Sequence, residues 1–195
     1  GGGPQLDARA LLDQFGVPAD APVLLGGSTH DGEEAVLAEI CSRLRKKFPT
    51  LFLIVVPRHH ERAREAGRAV RAQGLKIAYR SELDTGRRSE GPIDCLVVNT
   101  TGELKAFYTV ATVVFVGRTL TARGGQNPIE PATLGKAVVF GPNMQNFRGI
   151  VPEFLAASAA RQVKSARELE QAIEELLADP ARRAELGANA RMVVG

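Results

Sequence analysis

The sequence predicts an α/β domain built on a doubly wound parallel sheet, and three observations predict it. Short apolar runs alternate with helical stretches from Pro22 onward. Several runs are β-branched and apolar at every position, notably Leu51-Phe52-Leu53-Ile54-Val55-Val56 and Thr112-Val113-Val114-Phe115-Val116. Strands of that kind lie in the middle of a parallel sheet with helices on both faces. Third, the segments rich in glycine and side-chain donors each follow a strand, where the ligands of such sheets bind.

In order, the candidate strands are Pro22–Gly27, Leu51–Pro57, Leu75–Arg80, Asp94–Asn99, Thr112–Gly117, Ala137–Gly141 and Arg161–Lys164. Asp31 is placed to cap a helix over Glu33–Phe48, in which Val36, Leu37, Ile40, Leu44 and Phe48 form one stripe. Thr101 is placed to cap Gly102–Ala111, and Ser165-Ala166-Arg167-Glu168 is a capping box opening Leu169–Leu177. The polar stretch Ser81–Pro92 reads as a loop. Alternation of this kind calls for right-handed crossovers. Gly1–Gly3 read as a cut linker, leaving 4–195 as one domain.

A length of 195 residues suits one domain with its own core. Charged residues at 24% and hydrophobic residues at 44% are those of a soluble globular domain. The net charge of +3 gives no reason to expect nucleic acid as a partner, but the excess is local: Arg43, Arg45, Lys46, Lys47, then Arg58, Arg62, Arg64, Arg68 and Arg71. These read either as solvated helix faces or as a surface for phosphate or anionic lipid. Cys41 and Cys95 fall in apolar patterns, so buried thiols are expected rather than a disulfide or metal cluster. No run is long and apolar enough to span a membrane, and no signal peptide is evident.

Five loops carry candidate chemistry. After the first strand, Gly26-Gly27-Ser28-Thr29-His30-Asp31-Gly32 offers close backbone approach, a helix start and the donors Ser28, Thr29 and His30; it reads equally as a capped turn. It lacks the dinucleotide G-x-G-x-x-G spacing. After the second, Arg58 is placed for an anion or for the rim of the next helix. His59 and His60 are consecutive, so they cannot share a metal on a helix; one of them is free to donate to a ligand. After the fourth, Gly102 faces a ligand or merely lies in a capped turn. After the fifth, Gly124-Gly125 leads to Asn127 at a helix cap, Pro128 at the first position and Glu130 at the third. Glu130 either reaches back to the cap amide or accepts from vicinal ribose hydroxyls, while amides near Gly125 hold phosphate. Pro131 removes a further amide, an awkward choice for stability alone. After the sixth, Asn143 and Asn146 orient a sugar or cap the helix toward Leu155.

Gly124-Gly125-Gln126-Asn127-Pro128-Ile129-Glu130-Pro131 and Gly135-Lys136-Ala137-Val138-Val139-Phe140-Gly141-Pro142-Asn143-Met144-Gln145-Asn146-Phe147 resemble the 3-deoxy-D-manno-octulosonic acid (Kdo) transferases of lipopolysaccharide synthesis. Ser28-Thr29-His30-Asp31-Gly32-Glu33-Glu34, Pro57-Arg58-His59 and Thr101-Gly102-Glu103-Leu104 match the same family in the same order. The resemblance covers roughly Pro22 to Phe147. It implies a GT-B fold, two Rossmann-like halves facing a cleft, of which this chain is the carboxyl-terminal, donor-binding half. The implied reaction moves Kdo from CMP-Kdo to a lipid A precursor at the cytoplasmic face of the inner membrane of a Gram-negative-type bacterium. The acceptor half and its general base have no counterpart here, so the half alone is expected to be inactive.

The implied donor contacts are Ser28, Thr29, His30, Arg58, His59, Gly102, Gly125, Asn127, Glu130, Asn143 and Asn146, with Arg58 stabilising the CMP leaving group and no metal ion. Two positions depart from the family: Gln126 stands where a histidine is frequent, and Arg118 where a glycine is. Half of a UDP-sugar GT-B enzyme, either a hexosaminyltransferase or an epimerase, is the alternative enzyme reading, separable by base selectivity. A non-catalytic nucleotide-binding module is the other.

Overall fold

Every apolar run becomes a strand of one parallel sheet in the computed structural model, which describes residues 5–85 and 91–195. The expected linker at 1–3 and part of the expected loop Ser81–Pro92 lie outside the described residues. The chain runs α1 (Ala8–Gln14), β1 (Val23–Thr29), α2 (Glu33–Leu44), β2 (Phe52–Pro57), α3 (Ala63–Arg71), β3 (Ile77–Tyr79), β4 (Cys95–Val97) and α4 (Leu104–Tyr108). It continues through β5 (Val113–Val116), α5 (Ile129–Thr133), β6 (Ala137–Phe140), α6 (Ile150–Ala156), β7 (Arg161–Gln162), α7 (Ala166–Ala178) and α8 (Pro180–Val194). Arg80–Thr85, within the expected loop, is a 3-10 turn.

The sheet order is β3-β4-β2-β1-β5-β6-β7, and each neighbouring pair is parallel. Side chains alternate across each strand, and both faces are apolar. Leu25, Ile54, Val114 and Phe140 meet Leu12, Phe107, Ala132 and Phe154 of α1, α4, α5 and α6. Leu24, Leu53, Phe115 and Val139 meet Leu37, Ile40, Val70 and Leu169 of α2, α3 and α7. Helix α8 serves both cores, through Ala190 and Leu186. Strand β1 lies between β2 and β5, so the order reverses there and opens a crevice at its carboxyl end.

Helix starts follow local chemistry with three departures. Ser165 Oγ accepts from the Glu168 amide at 3.2 Å, and Glu168 answers by accepting from the Lys164 amide at 2.6 Å. Asp31 does not cap α2: Gly32 holds the cap position at φ 88°, a left-handed turn that suits glycine, and the helix ends at Leu44. Thr101 caps nothing; α4 opens later, and it is the Thr100 hydroxyl that donates to Glu103, which also pairs with Arg80 at 3.2 Å. Helix α6 starts at Gly149 without a side-chain cap, so neither Asn143 nor Asn146 caps it.

The basic run at the end of α2 and in the turn beyond it is mostly paired. Arg43 pairs with Glu170 at 2.6 Å, Lys47 pairs with Glu174 at 2.5 Å, and Arg45 pairs with Asp94. Such exposed pairs contribute little stability, yet they neutralise the run. On α3 the Arg64 guanidinium lies 4.7 Å over the Tyr79 ring, while Arg68 and Arg71 are exposed. Both cysteines are free and buried, and burial pushes the Cys41 thiol up to about 12. No helix among the described residues is long and apolar enough to cross a membrane.

Core burial dominates stability, so Phe115→Ala, at a side chain 0% exposed, should cost about 3–5 kcal/mol in urea unfolding. Met192→Ser, at a side chain 81% exposed, should stay within about 0.5 kcal/mol of the parent.

Candidate functional site

The loops leaving β1, β2, β5 and β6 are bound to one another, and a buried carboxylate is the principal tie. Glu33, the first residue of α2, is 0% exposed. Its Oε1 accepts from the amides of His30 at 2.9 Å and Arg118 at 2.7 Å. Its Oε2 accepts from Thr119 at 3.0 Å, Leu120 at 2.9 Å and Thr121 at 3.5 Å. Buried charge is tolerated when its acceptor sites are filled in this way. Further ties complete the frame. Arg58 donates its amide to Thr29 O at 3.0 Å, Gly125 to Arg118 O at 2.9 Å, Asn143 to Thr119 O at 3.0 Å and Asn146 to Gly124 O at 2.9 Å.

Glu34 and Arg62 form a second polar cluster beneath these loops, at 2.8 Å. Burial pushes the Glu34 carboxyl up, opposed by Arg62 and by the Thr29 hydroxyl. The Thr29 hydroxyl and Glu34 Oε2 are not aligned for a hydrogen bond. Thr29 is itself 0% exposed. Its side chain therefore belongs to the foundation and is out of a ligand's reach from the crevice, against expectation.

The other expected residues fall as follows. Ser28 is half-buried at the β1 bulge with φ 53°, and His30 is half-buried beside it. Arg58 and His59 are exposed at the end of β2. Gly125 is buried with φ 80°, where a β-carbon would meet Met144 Sδ at 2.6 Å. Asn143 is half-buried and Asn146 exposed, facing the Gly124-Gly125 turn. Gly102 is exposed with φ 78° in the turn after β4, the sheet neighbour of β2, which Arg58 and His59 follow.

At α5 the two readings of Glu130 separate. Against expectation Pro128, not Asn127, holds the cap position, and Asn127 Oδ1 accepts from the Ile129 amide at 2.9 Å from one residue earlier. Glu130 is exposed and has no hydrogen bond or ion pair among the described residues, so it does not close a capping box. The helix has 5 residues, too short for much of a macrodipole. Any anion here would be held by loop amides and side chains.

Sequence reasoning missed Glu33 and Tyr108. Tyr108 is buried, and a β-carbon on Gly27 would lie 2.9 Å from its Oη. Burial, then the nearby Glu130 charge, pushes its phenol above the ordinary range. A cavity of about 580 Å³ lies at the opposite, amino ends of the strands beside Asp7, Pro22 and Thr112, away from this cluster. No group of three metal-ligating side chains occurs among the described residues.

Glu33→Gln keeps the shape but turns an NH₂ group toward amide donors. It should destabilise by about 3 kcal/mol and speed hydrogen exchange at 118–120 ahead of β5. Unchanged exchange would refute the tie. The raised Tyr108 phenol means the folded state holds a proton that the unfolded chain releases above about pH 10. Stability should fall as pH rises past that point, and Tyr108→Phe should remove that part of the fall.

No family model matches the chain. It is 37% identical over 174 residues to a 3-deoxy-D-manno-octulosonic acid transferase of Bordetella pertussis, an alignment covering 87% of this chain and 40% of that relative. It therefore spans well under half of the relative's length. The solved C-terminal CMP-Kdo binding domain of WaaA from Acinetobacter baumannii is similar at a TM-score of 0.84 and 30% identity, covering 96% of each chain. A C-terminal domain of a glycosyl transferase group 1 family protein from Francisella tularensis shares the fold at a TM-score of 0.62 and 16% identity. The chain belongs to the 3-deoxy-D-manno-octulosonic acid transferase family and corresponds to its C-terminal domain.

Proposed function

We propose that this domain binds CMP-Kdo as the donor half of a GT-B Kdo transferase, and that a separate amino-terminal half supplies the acceptor site and the general base. One observation carries the reading: the four loops at the β1, β2, β5 and β6 carboxyl ends are tied into a single frame at the switch point. The likeness to a CMP-Kdo binding domain over 96% of both chains supports the same ligand.

In this reading Glu130, exposed and without a hydrogen bond or ion pair among the described residues, accepts from the ribose hydroxyls, two acceptor oxygens suiting two vicinal donors. Amides around Gly125, with Ser28 and His30, hold the phosphate, and Asn143 and Asn146 orient the sugar. Arg58 and His59 lie at the mouth of the crevice. Arg58 stabilises the charge that grows on CMP as the glycosidic bond breaks. A guanidinium and several amides supply positive potential without requiring a metal ion. The acceptor is a lipid A precursor, which places the whole enzyme at the cytoplasmic face of the inner membrane.

Calorimetry tests the ligand. CMP should bind this chain more tightly than UDP, and a folded sample that ignores CMP overturns the donor reading. Tighter binding of UDP would assign the half to a UDP-sugar enzyme. The ribose contact has its own signature: the parent should prefer CMP to dCMP by about tenfold, and Glu130→Gln should erase that preference. In the full-length enzyme Arg58→Ala should lower turnover about 100-fold or more; an unchanged rate removes Arg58 from the mechanism.

A further inference from the structure

Arg118 follows β5 with φ 58°, in the left-handed region where a β-carbon brings strain. Its backbone is held from both sides: the amide donates to Glu33 Oε1 at 2.7 Å, and the carbonyl accepts from Gly125 N at 2.9 Å. The conformation is therefore imposed by the frame of the site, and a glycine would meet it without strain. An arginine there has to be explained by its side chain. That side chain is exposed and makes no hydrogen bond or ion pair among the described residues. It folds over the Gly124 turn. A β-carbon on Gly124 would lie 3.8 Å from Arg118 Cζ and 2.9 Å from Asn146 Nδ2.

The guanidinium and the Asn146 amide thus border the same patch of backbone. In the donor reading Asn146 orients the sugar, so Arg118, beside Asn146 over the Gly124 turn, faces the sugar end of the donor. We infer that Arg118 is a specificity-determining residue whose guanidinium binds the carboxylate of the donor's sugar acid. A planar fork of donors matches a carboxylate in two-point geometry, which a lysine or glycine cannot supply. The assignment rests on the donor reading above and deepens it.

The test titrates the parent chain, Arg118→Gly and Arg118→Lys with CMP and with freshly prepared CMP-Kdo, and records Tm for each. Arg118→Gly should bind CMP as the parent does, bind CMP-Kdo roughly ten- to hundredfold more weakly, and melt no lower than the parent. Arg118→Lys should recover only part of the loss. Equal weakening toward both ligands would move the contact to the phosphate and overturn the assignment. Unchanged affinity for CMP-Kdo, or a lowered Tm for Arg118→Gly, would overturn it as well. A parent chain that binds neither ligand would refute the donor reading itself, and this assignment with it.

Discussion

The site depends on one buried carboxylate. Glu33 stands at the start of α2 and gathers amides from the loop after β1 and from the turn after β5. Parallel strands present their carboxyl ends side by side, but nothing in a sheet ladder orders the loops beyond them. A neutral side chain would leave several N–H groups facing one another without acceptors. A charge facing outward would be solvated and would order nothing. Only an acceptor-rich anion, sealed from water and saturated by backbone donors, holds both loops in one geometry.

Close approach is the second requirement of the same region, and it is met by removing side chains. A β-carbon on Gly117 would lie 2.2 Å from Ser28 O, and one on Gly141 would lie 2.3 Å from Thr119 O. The glycines therefore let the β1, β5 and β6 exits meet backbone to backbone. The bulge at Gly27 and Thr29 turns Ser28 into the left-handed region at the same point. Strain at Ser28 and Arg118 is sustained because the surrounding hydrogen bonds leave these residues no alternative conformation.

The fold was legible because it depends on patterns local in sequence. Continuous β-branched runs such as Val113–Val116 can be buried on both faces only in a covered parallel sheet, and all seven expected runs pair that way. The capping box at Ser165 is equally local and is present. What failed to show was what depends on partners distant in the chain. Asp31 looks like a cap on spacing alone, but Gly32 turns the backbone and Glu33 meets residues 85–88 positions away. Thr29 resembles an exposed donor in a glycine-rich loop, yet the β1 bulge sends it into the foundation with Glu34. The basic run around the end of α2 left a solvated face and an anion-binding surface both open until α7 brought Glu170 and Glu174 against Arg43 and Lys47. The positions of Arg58 at the end of β2 and Glu130 in the first turn of α5 were legible because strand ends and helix starts are local signals.

Charge placement, rather than net charge, sets the character of the crevice. The excess over the whole chain is only +3. Around the end of α2, Arg43, Arg45 and Lys47 are paired with acids of the same domain, so their field decays within a short distance of the surface. At the carboxyl edge of the sheet Arg58, Arg118, Arg123 and Arg148 are exposed and make no ion pair among the described residues. Glu130, in the first turn of α5, and Asp31, in the loop after β1, are acidic residues of the same edge. A low-dielectric floor of buried strands beneath these groups keeps their field directed outward into the crevice. The same residues, redistributed evenly over the helices, would leave the net charge unchanged and the crevice without its local positive potential.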